Sequence, residues 1–300
     1  MKVTRFAPSP TGYLHLGHAF AALTAAASGD EFHLRIEDLD QGRTREEFVA
    51  AIFEDLRWLG LHWKEPVLRQ SGRLAAYRHA LDALEGLTYP CFCTRKEIAE
   101  EIAGAIEAPH LRTPSPFAGP RPSYGDPPLQ RADAREGANG PDGPLYPGTC
   151  RHLPAGEREA RMARGEPYAL RLDAAKAAVR AGALSFEEHG ETIPVDPLLF
   201  GDLVLARKDV PASYHLAVVV DDAFEGVNLV TRGEDLLAAT HPQRLLQALL
   251  GLPAPAYAHH KLILDEQGRK FSKRDGSVTL KALREGGATA AQIRARFEFG

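Results

Sequence analysis

An α/β fold built around a parallel sheet is what this sequence predicts, and three observations point to it. Between Lys2 and Glu85, short stretches of alternating apolar residues take turns with stretches whose apolar residues fall at helical spacing. The 300 residues are 44% hydrophobic and 25% charged, an ordinary globular balance with enough apolar side chains for about two domains, or one large domain carrying an insertion. The regular pattern breaks once, in a proline-rich stretch, and resumes near Tyr168.

The elements follow in order. Lys2–Ala7 is a short strand ending at the turn Pro8-Ser9-Pro10-Thr11-Gly12. Ala19–Ala27 is alanine-rich and helical, closing at Gly29. Glu31–Glu37 alternates Phe32, Leu34 and Ile36 with polar neighbours, as a strand does. Glu46–Leu59 and Ser71–Leu84 are amphipathic helices. Strand, glycine turn, helix, strand, helix is the order of a nucleotide-binding half. Prolines then crowd residues 109–147, from Pro109 through Pro128 to Pro147, at a density no helix or sheet interior tolerates, so this is read as an irregular surface insertion. Further strands are expected at Tyr168–Leu172, Leu203–Arg207, Val227–Val230 and Lys261–Leu264, and a long helix at Glu234–Leu250. Leu216–Phe224 fits both a strand and a helical face, and the last 25 or so residues hold one helix or two.

Composition excludes several classes. Apolar runs such as Leu216–Val220 are far short of the roughly 20 residues a membrane span needs, so no membrane partner is expected. The N-terminus carries Lys2 and Arg5 rather than an apolar secretory stretch, which predicts a cytoplasmic protein. A formal net charge of −4 means that any nucleic-acid partner must find a local positive patch. Arg69, Arg73 and Arg78, or Arg294 and Arg296, could supply one, although a solvated helix face explains both groups equally well. Three cysteines do not make a disulfide framework. Cys91 and Cys93 stand one residue apart, and with Cys150 and one more ligand they could form a closed tetrahedral zinc site that staples an insertion lacking its own core.

Two segments carry chemistry. In His15-Leu16-Gly17-His18, two imidazoles and a glycine stand where a strand turns into a helix. A helix N-terminus offers free N–H groups and a positive dipole end to phosphate, and Gly17 allows close approach of a base or ribose. Lys270-Phe271-Ser272-Lys273-Arg274 is a basic loop whose lysines could close over a triphosphate.

Together, in this order, the two segments resemble the paired HIGH and KMSKS signatures of class I aminoacyl-tRNA synthetases. The flanking text is similar to the glutamyl branch: Arg5-Phe6-Ala7-Pro8-Ser9-Pro10-Thr11-Gly12, Arg35-Ile36-Glu37-Asp38-Leu39-Asp40, Val219-Val220-Asp221-Asp222 and Arg232-Gly233-Glu234-Asp235-Leu236. Arg274 stands 26 residues from the end of the sequence, too few for an anticodon-binding domain, so the resemblance narrows to the short glutamyl-queuosine tRNA(Asp) synthetase family.

That resemblance implies a Rossmann-type catalytic domain in two halves, 1–88 and 166–252, with an inserted acceptor-binding-like subdomain at 89–165 and the lysine loop and a helical segment at 253–300. It implies ATP-dependent activation of L-glutamate and transfer to the queuosine base of tRNA(Asp), by a monomer. A truncated glutamyl-tRNA synthetase charging the 3′ end, or a catalytically silent tRNA-binding module, are the alternatives. His15, Gly17, His18, Lys270 and Lys273 would bind ATP, with His15, His18 and Lys273 catalytic and Mg2+ held by phosphates and water. Arg5 and Arg232 would face the carboxylates of glutamate and Glu37 its ammonium, with Ala7, Ser9 and Tyr214 completing the pocket. The family's zinc set includes a tyrosine four residues before the last cysteine, where Tyr146 stands; His152 is the chemically commoner ligand. Here 53 positions separate Cys93 from Tyr146, more than in the relatives.

Overall fold

The computed structural model describes residues 1–100, 139–208, 210–263 and 278–297. Strand β1 (Val3–Phe6) leads through the proline turn into helix α1 (Leu16–Ser28) and strand β2 (Glu31–Ile36), which pairs parallel with β1. Gly29 ends α1 because the chain passes close to β1: a Cβ there would lie 2.6 Å from Thr4 Oγ1. Helix α2 (Glu46–Trp58) crosses to β3 (Lys64–Arg69), parallel to β2 and not expected from its sequence, where Pro66 interrupts the pattern. A 3-10 turn at Gln70–Arg73 then opens α3 (Leu74–Ala83), so the helix expected from Ser71 starts three residues later.

The other half of the layer is β11 (Leu229–Gly233), β12 (Ala256–His260), β8 (Ser185–Glu188) and β9 (Glu191–Pro194), parallel except for the β8–β9 hairpin. It joins β1 side by side, with Asn228 N donating to Val3 O at 3.1 Å and Val3 N donating to Asn228 Oδ1 at 2.8 Å. Strands β4 (Thr88–Cys91), β7 (Ala169–Leu172) and β10 (Val204–Arg207) form a separate antiparallel sheet with β7 in the middle.

Several expectations shift. The ambiguous Leu216–Phe224 segment is helix α6 (Tyr214–Phe224), capped by Ser213; α4 (Ala155–Ala163) and α5 (Ala174–Ala181) precede it. The long helix at Glu234–Leu250 is a 3-10 turn at Glu234–Leu236 followed by α7 (Thr240–Leu249), because Pro242, lacking an N–H, fits only a first turn. The strand placed at Lys261–Leu264 lies earlier, as β12, and Lys261–Ile263 form none. The chain closes with α8 (Leu280–Glu285) and α9 (Ala290–Ala295). Of the proline-rich stretch, residues 109–138 lie outside the described residues, and β5 (Asn139–Gly140) pairs with β6 (Gly143–Pro144) in a short hairpin. No helix among the described residues is long and apolar enough to cross a membrane.

Two cores flank the parallel layer. One joins α1, α2 and β2 through Leu23, Leu34, Ile36, Ile52 and Leu56. The other joins α3, α6 and α7 through Tyr77, Leu84, Leu216, Leu245 and Leu246. Because both faces of a parallel sheet are covered, the polar side of β2 is buried too: Arg35 is 0% exposed.

Candidate active site

The His15–His18 turn is built as a helix cap. Nδ1 of His15 accepts the Gly17 N–H at 3.1 Å, and Nδ1 of His18 accepts the His15 N–H at 3.2 Å, with the two rings 3.8 Å apart. A ring nitrogen that accepts carries no proton, so each neutral imidazole holds its proton on Nε2 and turns a donor edge away from the backbone. Lys270 and Lys273 lie outside the described residues. The chain on either side of residues 264–277 rests on α1. Thr279 bridges to His15 and Leu280 N donates to Leu14 O at 2.8 Å, while the His260 ring packs 4.9 Å from Phe20.

Contacts tie some of the residues assigned by resemblance to a glutamate pocket into the fold. Arg5 Nε donates to Asp222 Oδ1 at 3.2 Å, and its Nη1 donates to Thr231 O at 3.3 Å, one residue from Arg232 on the neighbouring strand. Arg35 Nη1 donates to the same Asp222 at 2.8 Å and to Glu225 Oε2 at 2.6 Å, and its Nη2 lies 3.7 Å from Glu37 Oε1. Burial pushes Asp222 up, but Arg5 and Arg35 reverse this and hold its carboxyl below the ordinary range. Burial also raises Glu37, to about 7, against the pull of Arg35 and Arg5. Among the described residues no hydrogen bond reaches the Glu37 carboxylate, whose side chain is 12% exposed. Ala7 is half-buried and Ser9 exposed in the loop leaving β1.

Arg232 is different. Its Nε donates to His259 Nε2 at 3.0 Å, Nη1 to Gln243 Oε1 at 2.8 Å and Tyr214 Oη at 3.3 Å, and Nη2 to Thr240 Oγ1 at 2.8 Å. All four acceptors are neutral, and no carboxylate among the described residues pairs with this buried guanidinium. Next to Tyr214, burial and Arg232 press His215 down to about 4, so it adds no charge at neutral pH. A buried cation with neutral partners suits a ligand that brings a carboxylate.

Asp221 accepts from Gln70 Nε2 at 2.9 Å, Arg73 Nε at 3.1 Å and Tyr77 Oη at 2.7 Å, tying α6 to α3. Two of the arginines considered for a nucleic-acid surface are therefore engaged internally. Arg73 holds Asp221 and covers the Phe224 ring at 3.8 Å, and Arg69 holds Asp38 at 2.9 Å and Glu46 at 2.5 Å. Arg294 donates to Leu59 O at 3.3 Å, whereas Arg78 and Arg296 are exposed.

The thiols of Cys91, Cys93 and Cys150 all lie within 4.8 Å of one another. Tyr146 Oη is 3.3 Å from Cys91 Sγ and 3.5 Å from Cys93 Sγ, and it accepts the Cys150 N–H at 2.9 Å. His152 is exposed and outside this cluster. Burial raises Cys93 to about 12. Cys91 is pulled below its ordinary value by Tyr146 and Arg171, which overcome its burial. Sulfurs about 2.3 Å from one tetrahedral ion sit roughly 3.8 Å apart, so the donor set and its spacing fit a structural zinc.

Comparison with known proteins bears on this geometry. The family of tRNA synthetases class I (E and Q), catalytic domain, matches residues 2–115 and 129–295. A Rhodobacter capsulatus protein named Glutamyl-Q tRNA(Asp) synthetase is 45% identical over 97% of this chain and 98% of its own length. Glutamate--tRNA ligase 1 of Methylococcus capsulatus is 39% identical over 95% of this chain, which spans 56% of it. The crystal structure of a glutamate tRNA ligase from Elizabethkingia meningosepticum, in complex with its amino acid, superposes with a TM-score of 0.72 at 27% identity, over 100% of this chain and 61% of its own.

Proposed function

This chain belongs to the catalytic-domain family of class I tRNA synthetases for E and Q, and from that membership we propose that it activates L-glutamate with ATP and transfers it to the queuosine base of tRNA(Asp). The observation that carries the glutamate assignment is Arg232, buried among neutral acceptors and one residue from the Thr231 carbonyl that Arg5 contacts. Arg232 and Arg5 receive the substrate carboxylates and Glu37 its ammonium, with Ala7, Ser9 and Tyr214 closing the pocket. Glutamine would leave the buried guanidinium poorly matched, at about 2–5 kcal/mol.

In the activation step one α-carboxylate oxygen attacks the α-phosphorus of ATP, and the bond to pyrophosphate breaks. The attacking carboxylate is already ionised at neutral pH, so no general base is needed. The chain contributes positioning and charge. His15 and His18 direct Nε2–H donors at phosphate, Gly17 allows close approach at the helix start, and Lys270 and Lys273 offset the charge of the departing pyrophosphate. Mg2+ accompanying ATP would be held by its phosphates and water and would offset their charge.

The queuosine base as acceptor rests on the name of the Rhodobacter capsulatus relative and on its near-complete alignment. Charging of the tRNA 3′ end is the competing reading, favoured by the 39% identity to a glutamate--tRNA ligase. Labelled glutamate offered to tRNA pools with and without queuosine decides between them. Label confined to queuosine-bearing tRNA(Asp), and mapped by nuclease digestion to that base, is expected. Equal labelling of glutamate tRNA, or at the 3′ end, would overturn the assignment.

Cys91, Cys93 and Cys150 as thiolates, with Tyr146, would hold a zinc ion that ties the strand β4 end of the insertion to its return. Metal analysis of the purified protein should find close to one equivalent; less than about a tenth would remove the claim.

A further inference from the structure

We infer that His259, fixed by Glu188, is the positioning residue that holds Arg232 in its ligand-receiving orientation. The inference rests on the assignment of Arg232 to a glutamate carboxylate. A guanidinium only donates, so the 3.0 Å contact from Arg232 Nε makes His259 Nε2 an acceptor. The ring proton is then on Nδ1, where it is donated to Glu188 Oε2 at 2.7 Å. The other oxygen of Glu188 accepts the His259 backbone N–H at 2.9 Å, so one carboxylate fixes both the main chain and the tautomer. Tyr257 completes the clamp. Its ring lies parallel to His259, 4° between planes and 6.0 Å between centroids, and 5.5 Å below the Arg232 guanidinium.

The chemical sense lies in what the relay avoids. A carboxylate placed directly against Arg232 would orient it equally well but would neutralise it, as Asp222 does for Arg35. A neutral imidazole between the two supplies an acceptor for the Nε–H and leaves the guanidinium charge for an incoming anion. Gln243, Tyr214 and Thr240 satisfy the outer nitrogens in the same neutral way. The opposite tautomer of His259 would point an N–H at Arg232, and Glu188 prevents it by accepting the Nδ1 proton.

The test uses the full chain, with glutamate-dependent ATP–pyrophosphate exchange in the presence and absence of tRNA. His259→Phe keeps the ring stack and deletes the acceptor; glutamate KM is expected to rise about tenfold or more while kcat and the ATP KM stay within about threefold. His259→Gln returns an acceptor near the Nε2 position and should restore glutamate KM to within about threefold of native. A native glutamate KM in His259→Phe, or equal damage in both variants, overturns the inference. Should His259→Phe not fold, the 15N–1H correlation of the native imidazoles decides: the Nδ1–H tautomer is expected, and the Nε2–H tautomer refutes the relay. Arg232→Ala separates the two levels. If it leaves glutamate KM unchanged, the pocket assignment falls; if it raises KM while His259→Phe does not, only the relay falls.

Discussion

Two buried arginine environments stand on adjoining strands of this molecule, and they are built in opposite ways. Arg35 takes both Asp222 and Glu225, so its charge is matched within the fold, and Arg5 joins the same Asp222 through Nε alone. Arg232, on β11, is held by a histidine, a glutamine, a tyrosine and a threonine. Removing water from a cation costs several kcal/mol unless an anion compensates. Around Arg35 the fold answers that cost internally, and Arg35, Asp222 and Glu225 behave as a bracket between β2 and the end of α6. The second environment leaves it open, which is the signature of a site completed by a ligand. Two arginines of similar burial can therefore have different work, and the partners tell them apart.

The contrast predicts that stability and activity respond in opposite directions. Asp222→Ala strands Arg35 and Arg5, and should lower the unfolding free energy by about 3–5 kcal/mol in urea titration. A loss below about 1 kcal/mol would show that the bracket is already solvated. Arg232→Gln should cut glutamate kcat/KM by about two to three orders of magnitude while leaving the urea midpoint unchanged or higher, because an uncompensated charge has gone. If Arg232→Gln unfolds the protein as Asp222→Ala does, the distinction between bracket and receptor fails.

How much of this could be read from the chain depends on distance along it. The cap at His15–His18 is local, and its helix-start chemistry is legible from the order of residues. The spacing of Cys91, Cys93, Tyr146 and Cys150 is also visible, although only folding shows that Tyr146 and not His152 joins the thiols. Arg35 escaped notice because β2 alternates cleanly, and its polar side passes for a solvated one; the signal was that a parallel sheet has no solvated face. Asp222 lies 217 positions from Arg5, and nothing local in Val219-Val220-Asp221-Asp222 says which arginine it meets. Gln243, Thr240 and His259 were missed for the same reason. His259 also sat two positions before the strand expected at Lys261–Leu264, in a segment whose paired histidines look like loop. Lys270 and Lys273, the plainest motif in the sequence, lie outside the described residues.

The Glu37 carboxylate, proposed to meet the substrate ammonium, gives a smaller, titratable effect. Glu37, raised to about 7 by burial, is partly protonated in the empty site at neutral pH, and a neutral acid cannot pair with an ammonium group. Glutamate affinity should therefore fall about tenfold from pH 8 to pH 6. The sign for stability is the reverse. A carboxyl whose folded value lies above its ordinary 4.5 favours folding at low pH and loses that contribution as pH rises through 7. Glu37→Gln should make the empty protein more stable than native at pH 8, by up to about 3 kcal/mol, and not at pH 4. A flat glutamate affinity between pH 6 and 8 would mean that the pocket is wetter than its geometry indicates.

The smallest effect tests the contrast from the outside. Arg69 is 41% exposed and basic, and on exposure alone it belongs to a nucleic-acid surface. Its partners say otherwise: Asp38 holds Nε and Glu46 holds the outer nitrogens, so its charge is matched before any phosphate arrives. Arg69→Ala should change the tRNA KM by less than about twofold and leave its dependence on salt unaltered, with a stability loss under about 1 kcal/mol. Arg78, exposed on the following helix, is the internal control. A salt slope that falls by about one on removing Arg69 would mean that the two carboxylates release it to the tRNA backbone, and that matched arginines at this surface are not brackets at all.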